Sequence, residues 1–257
     1  VPVVVFKDDN GAAYCQFELL ADCREVRHAI FLRTHGFSEA PYHRLNVSFA
    51  VGDEAERVAR NRRLVAQALD AEELVFVRQV HGHRALVVGD RSGGDGAALP
   101  EADAMLADRA GKFLVVQVAD CQPILMHDPV RRVVANVHCG WRGSVADVAG
   151  RTVAALQSRF GCAPQDLLVG VGPSLGPCCA EFIHYRSEIP ARLWGYRRDS
   201  VCFDFWAMTR DQLIAAGVPA GHIQISGLCT RCDPDRFFSY RAHNRTGRFP
   251  AVIGLKR

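Results

Sequence analysis

Hydrophobic and polar positions change period several times along the chain. Short runs rich in β-branched residues and bordered by turn residues predict strands at LVFVRQV (74–80), ALVV (85–88), FLVVQV (113–118), ILM (124–126), VVANV (133–137) and LLVGVG (167–172). Apolar residues at helical spacing predict helices over 53–69, 144–160 and 204–217. Ser144 followed by Asp147 resembles a capping box that would open the second helix, and Gly161 and Gly217 stand where helices commonly stop. The Gly-rich RSGGDGAALPEAD at 91–103 reads as a long mobile loop within one domain. Strands and helices interleave without a steady βα alternation, and one connection reads as a tight hairpin. The expected fold is therefore a single mixed α/β domain over residues 1–257, with a mixed sheet or paired sheets flanked by helices, in preference to a Rossmann fold.

Composition narrows the classes. With 49% hydrophobic and 23% charged residues the chain is rich enough to bury a sizeable core. A net charge of +3 gives no bulk attraction to nucleic acid or membrane, so neither is expected as a partner. The apolar start VPVVVF is too short for a signal-peptide core, and no run approaches the roughly 20 residues of a membrane span. A soluble, cytoplasmic protein with reduced thiols is expected. Its ten cysteines are then candidates for metal binding or catalysis, although burial is the commoner fate of any one of them.

The densest chemistry lies in ADCQPILMHDPVRRVVANVHCGWRG, residues 119–143. Taken as two strands joined by a turn at 128–131, it pairs His127 with Arg132, Leu125 with Val134 and Cys121 with His138. Directly opposed residues share a face with Cβ atoms about 4.5–5.5 Å apart, so a thiol and an imidazole meet at the open end of the hairpin. Three readings stay open: a shared divalent metal, a thiolate activated by an imidazole, or a buried Cys beside a hydrogen-bonded His. The strand at 74–80 ends in QVHGH, which brings His81 as a third partner and His83 as its rival. One sulfur with two imidazoles suits zinc and leaves a fourth position open. Asp120 would orient a ligand, act as a base, or merely form a turn. Arg142, just before the expected cap Ser144 and between Gly140 and Gly143, suggests a seat for phosphate or carboxylate.

These residues sit in a wider set of motifs: PYHRLNVSFAVGD, the pair Asn61-Arg62, QVHG, ADAML, VADCQPIL, VHCGWRG, VGPSLGP, Cys229-Thr230, FFSYR and TGR. In that order, from about residue 33 to 248, they resemble the YfiH family, known both as multicopper polyphenol oxidase (laccase) domain proteins and as purine nucleoside phosphorylases. The resemblance implies a compact mixed α/β sandwich similar to the catalytic domain of cytotoxic necrotising factor, with metal ligands at His81, Cys121 and His138. It also implies zinc, phosphorolysis of adenosine, inosine, guanosine and methylthioadenosine, and deamination of adenosine. The chain departs from the family pattern at Ala119, Cys139, His35 and Ala242, and Cys139 should point away from His138.

On this reading Cys121, His138 and Asp120 are the catalytic candidates, Arg62 and Arg142 bind phosphate, and Asn46 binds substrate. The runner-up is a metal-free hydrolase or amidase with Cys121 as nucleophile and His138 as base, which would suit the peptidoglycan precursor editing also credited to the family. Multicopper oxidation fits poorly, because one His-x-His pair among ten histidines cannot supply a trinuclear cluster, although a Cys/His site can take copper adventitiously. Cys229-Thr-Arg-Cys232 has redox-motif spacing, but without a second pair in sequence or a βαβ context it reads as packing, and Cys178 and Cys179 have no assigned role.

Overall fold

The computed structural model describes residues 4–9, 11–89, 99–199 and 201–257. Its strands are β1 (Val4–Asp9), β2 (Ala12–Phe17), β3 (Val26–Phe31), β4 (Glu73–Val75), β5 (Ala85–Val87), β6 (Ala104–Ala107), β7 (Lys112–Val118), β8 (Gln122–Asp128), β9 (Val133–Cys139), β10 (Leu168–Val171), β11 (Ile223–Ile225) and β12 (Phe249–Leu255). Its α-helices are α1 (Glu18–Ala21), α2 (Ala55–Leu69), α3 (Trp141–Val145), α4 (Val148–Phe160), α5 (Tyr185–Glu188) and α6 (Phe205–Ala215). The strands form two six-stranded mixed sheets, in the orders β1-β2-β3-β12-β7-β4 and β11-β10-β8-β9-β6-β5. Parallel pairing is confined to the edges, at β4 with β7, β11 with β10 and β5 with β6.

The two sheets pack face to face. Ile30, Val116, Phe249 and Ile253 of the first meet Met105, Leu125 and Val134 of the second in one buried cluster. Each such side chain contributes about 1.5–3 kcal/mol by leaving water. A polar tie crosses the same interface: the buried Asn136 amide of β9 donates to the carbonyls of Leu114 and Ala251, both at 2.8 Å. Outside the first sheet, Val65 and Leu69 of α2 cover Tyr14, Phe31 and Val115. Outside the second, Val153 and Leu156 of α4 and Leu213 of α6 cover Leu106, Ile124 and Val137. Helices thus lie on both outer faces of paired sheets, and no helix among the described residues is long and apolar enough to cross a membrane.

Two expectations are corrected locally, and a third falls mostly outside the described residues. The run 74–80 leaves the ladder after Val75; beyond it the Gln79 side-chain amide takes the place of a strand, donating to the Gln117 carbonyl at 2.9 Å and accepting the Gln117 N–H at 2.8 Å. The helix expected over 144–160 is broken in two. Gly140 is the N-cap of α3, Ser144 lies inside it, and Asp147 in the left-handed region (φ 56°) caps α4 by accepting the Gly150 N–H. Of the loop expected at 91–103, residues 91–98 lie outside the described residues, while Ala102 and Asp103 at its end are fully buried.

Candidate active site and metal centre

The hairpin register differs from the expected one by two residues. The last pair before the turn is Asp128 with Val133, and the ladder continues through His127 with Val134 to Pro123 with His138 and Gln122 with Cys139. The loop is displaced because Asp128 Oδ1 accepts the N–H groups of Val130 and Arg131 and Arg132 takes the left-handed conformation (φ 54°). A shift of two preserves the faces, so Cys121 and His138 remain diagonal neighbours on one side. Cys139 points the other way: its sulfur lies 3.2 Å from Ser144 Oγ, among the residues under α4, and burial pushes its thiol up to about 12.

His81 joins them through an unusual backbone. It sits in the left-handed region at φ 58°, which a side-chain-bearing residue rarely adopts without support. Asp103 supplies it. This carboxylate accepts the N–H groups of His81 at 2.9 Å, Gly82 at 2.7 Å and Val80 at 3.3 Å, and its Oδ1 also accepts from His138 Nδ1 at 2.8 Å. Burial pushes the Asp103 carboxyl up, but the bonds from His138 and the Gly82 N–H outweigh it and hold the group below its usual range. The same bond leaves His138 Nε2 as its ligand atom.

Ligand atoms of His81, Cys121 and His138 all lie within 4.8 Å of one another. The two rings meet edge to face with centroids 4.8 Å apart. Gly140 leaves the room they need, since a Cβ there would come to 2.9 Å from His81 Cδ2 and 3.2 Å from Cys121 Sγ. Burial raises the Cys121 thiol and lowers the His138 imidazole, but each partner's charge and hydrogen bond outweigh that cost, so the thiol moves down and the imidazole up. Two imidazoles and a thiolate-prone sulfur, oriented by a buried carboxylate, fit a zinc ion with an open fourth position. His83 does not enter this group and is exposed.

The three residues line a cavity of about 1560 Å³ that also takes in Arg62, Asp120, Arg142, Tyr240, Arg241 and Arg248. Arg142, in the first turn of α3, is exposed and its guanidinium stacks on the Trp141 ring at 4.4 Å. Arg62 lies against Phe76 and Phe49 and donates to the Val47 carbonyl at 2.9 Å. Asn46 is not in the wall. It is fully buried and spends its amide on the loop beneath, donating to Ser48 O and Asp53 Oδ2 and accepting the N–H groups of Ser48 and Arg248. Its placement makes it a support for Arg248, in place of the substrate contact expected. Asp120, expected as a catalytic candidate, is engaged on both oxygens, which accept from Thr230 Oγ1 and the Arg241 N–H, each at 2.6 Å, and its backbone is left-handed at φ 87°.

Sequence reasoning missed two residues. Asp103 stood in the quoted ADAML stretch but inside a segment read as loop. Arg248 stood in TGR. It is half-buried and lines the cavity with Cys121 and Asp120, and its guanidinium donates to the carbonyls of Thr246 and Gly247. Of the FFSYR aromatics, Phe237 and Phe238 are fully buried in the core, and Tyr240 is the one presented to the cavity.

Comparison with known proteins identifies the family of the chain. The family model for multi-copper polyphenol oxidoreductase laccase matches residues 27–256. Purine nucleoside phosphorylase YlmD of Geobacillus stearothermophilus is 37% identical over 238 residues, covering 86% of this chain and 87% of that protein. A purine nucleoside phosphorylase of Bacteroides thetaiotaomicron is 31% identical, covering 93% of each chain. The crystal structure of YlmD from Geobacillus stearothermophilus superposes with a TM-score of 0.89 at 32% identity over 100% of both chains. That of Bacillus licheniformis hypothetical protein YfiH gives 0.87 at 30% identity over 98% of this chain and 99% of that one. The chain therefore belongs to the multi-copper polyphenol oxidoreductase laccase family, that of YfiH and YlmD, and is a homologue of purine nucleoside phosphorylases.

Proposed function

We propose that the protein is a zinc-dependent purine nucleoside phosphorylase, with zinc held by His81, Cys121 and His138 and phosphate bound beside it. The observation that carries this reading is the Asp103-oriented trio on the wall of a large cavity bearing Arg142 and Arg248, in a chain whose relatives bear that name. In phosphorolysis a phosphate oxygen forms a bond to the anomeric carbon while the bond from that carbon to purine N9 breaks, and the purine leaves with the electron pair. Arg142 and Arg62 neutralise the phosphate, and Arg248 adds to the same cationic wall. Tyr240 offers a ring face for the purine. Asp103 holds the Nδ1 proton of His138, and Asp120 fixes the segment that carries Tyr240 and Arg241. Zinc, when bound, supplies Lewis acidity at the open coordination position.

The substrate range we infer is adenosine, inosine, guanosine and methylthioadenosine, with deamination of adenosine as a second reaction of the same cavity. Copper is a weaker fit than zinc. Multicopper oxidase chemistry lacks its ligand inventory among the described residues, where the groups able to hold a metal are one of two His and a Cys, one of four Cys, and one of Cys, Glu and His.

One observation favours a second reading. Cys121, His138 and Asp103 form a nucleophile, base and orienting-carboxylate series, as a metal-free cysteine hydrolase acting on a peptidoglycan precursor would require. Adenosine cleavage in phosphate buffer separates the two. The phosphorylase reading predicts that a chelator abolishes adenine release, that zinc restores it, and that Cys121→Asp or Cys121→His keeps part of it, since carboxylate and imidazole also bind zinc. Full activity after chelation, with loss on alkylation of Cys121, would establish the hydrolase instead.

A further inference from the structure

Two segments distant in sequence bring four thiols together beside the cavity. The sulfurs of Cys178, Cys179, Cys229 and Cys232 all lie within 4.8 Å of one another. Cys232 Sγ is 3.6 Å from Cys178 Sγ and 3.5 Å from Cys179 Sγ, and all four cysteines are free. A tetrahedral zinc ion with bonds of about 2.3 Å spaces its sulfurs about 3.8 Å apart. A disulfide needs about 2.05 Å. The spacing is thus that of ligands around one small ion, and it is too tight to enclose a multi-iron cluster.

The backbone supports this arrangement. Ser174 bridges to Cys229, with its N–H on the Leu228 carbonyl at 3.1 Å and its own carbonyl accepting the Thr230 N–H at 3.0 Å. Cys229 Sγ accepts the Gly176 N–H at 3.3 Å and is also hydrogen-bonded by the Cys232 N–H, an environment that favours a thiolate. Gly176 permits the approach: a Cβ there would lie 2.7 Å from the Trp206 ring and 3.1 Å from Cys229 Cβ. Packing alone does not account for the cluster, because Cys178 and Cys232 are exposed and gain little by burial.

We propose that Cys178, Cys179, Cys229 and Cys232 form a second metal site, a tetrathiolate centre for one zinc ion that clamps the 176–179 and 229–232 segments together. Binding displaces the thiol protons to solvent and moves no electrons. The clamp bears on the cavity through its neighbours: Thr230 holds Asp120 Oδ1, the Leu175 N–H bonds the Asp120 carbonyl at 2.8 Å, and Arg241 donates to the carbonyls of Cys179 and Glu181. Its role is structural, and it holds independently of what the His81, Cys121 and His138 site does.

The test uses the full chain carrying Cys121→Ser, purified under reducing conditions and reconstituted with zinc alone. One equivalent of bound zinc is expected, and cobalt(II) in its place should give the intense thiolate-to-metal charge-transfer absorption of several sulfur ligands. Cys178→Ser combined with Cys232→Ser should abolish that band. In the wild-type protein, which avoids any folding defect of the variants, maleimide labelling followed by peptide mass spectrometry should find the exposed Cys178 and Cys232 protected until a chelator is added. No zinc retained by the Cys121→Ser protein, or labelling of Cys178 and Cys232 at equal rates with and without zinc, would overturn the proposal. So would a Cys178–Cys232 or Cys179–Cys232 disulfide in the reduced preparation.

Discussion

Asp103 fixes two of the three proposed ligands at once, by accepting the His138 Nδ1 proton and the N–H groups that hold His81 in its left-handed turn. The ligands themselves were legible from residue type and position. Cys121 and His138 were placed on one face by strand alternation, and His81 by its place at a strand end. Asp103 was not, because a carboxylate near glycines looks like a loop residue and nothing local reveals that it points inward. Asp103→Asn offers an amide where three N–H groups and an imidazole need acceptors. It is expected to lower zinc affinity about 10- to 100-fold, measured by competition with a chromophoric chelator, as loss of an orienting carboxylate commonly does. Unchanged affinity would show that His138 orients without it.

At the scale of elements, periodicity located the long helix α2, which has one face in a core, and strands β7, β8 and β9, which are apolar on both faces between a sheet and helices, to within a few residues. It failed where a side chain replaces a backbone partner. β4 stops at Val75 because the Gln79 amide takes over the pairing with Gln117. β12 passed unread because Pro250 and Gly254 argue against a central strand. Pro250 is tolerated opposite Gln117, whose N–H and C=O both turn away to Gln79, so no N–H is needed from it there. The break between α3 and α4 rests on Asp147, which both accepts the Gly150 N–H and adopts φ 56°. Asp147→Ala should cost about 1–2 kcal/mol in urea unfolding, because the cap is lost and alanine tolerates the left-handed conformation less well. Asp147→Asn, which caps and tolerates that conformation, should stay within about 0.5 kcal/mol.

For the whole molecule, the interleaving of strands and helices points to a mixed sheet or paired sheets flanked by helices, and two paired mixed sheets are observed. The N-terminal strands β1 to β3 were not legible, as their charged and small residues carry no clean alternation; only packing of the completed sheet defines them. That sheet also buries a histidine. His28 is buried in β3, accepts the Phe17 N–H at 2.9 Å through Nε2, and is brought down to about 3 chiefly by burial and then by Lys7. Its folded value lies below the unfolded one of about 6.5, so its contribution is complete above pH 6.5 and is lost as pH falls from there toward 3. Relative to a His28→Gln variant, the wild type should lose about 2 kcal/mol of unfolding free energy between pH 7 and pH 5. A constant difference across that range would mean that His28 is not neutral in the fold.

The proposed reaction of this cavity is cleavage of a purine nucleoside by phosphate. Its most direct test is product analysis by mass spectrometry after incubating the zinc-loaded protein with adenosine and phosphate in water enriched in oxygen-18. Adenine and ribose 1-phosphate are expected, formed in proportion to phosphate and carrying no oxygen from water, with any inosine as a separate product. Free ribose labelled from water, or adenine release that does not depend on phosphate, would contradict it.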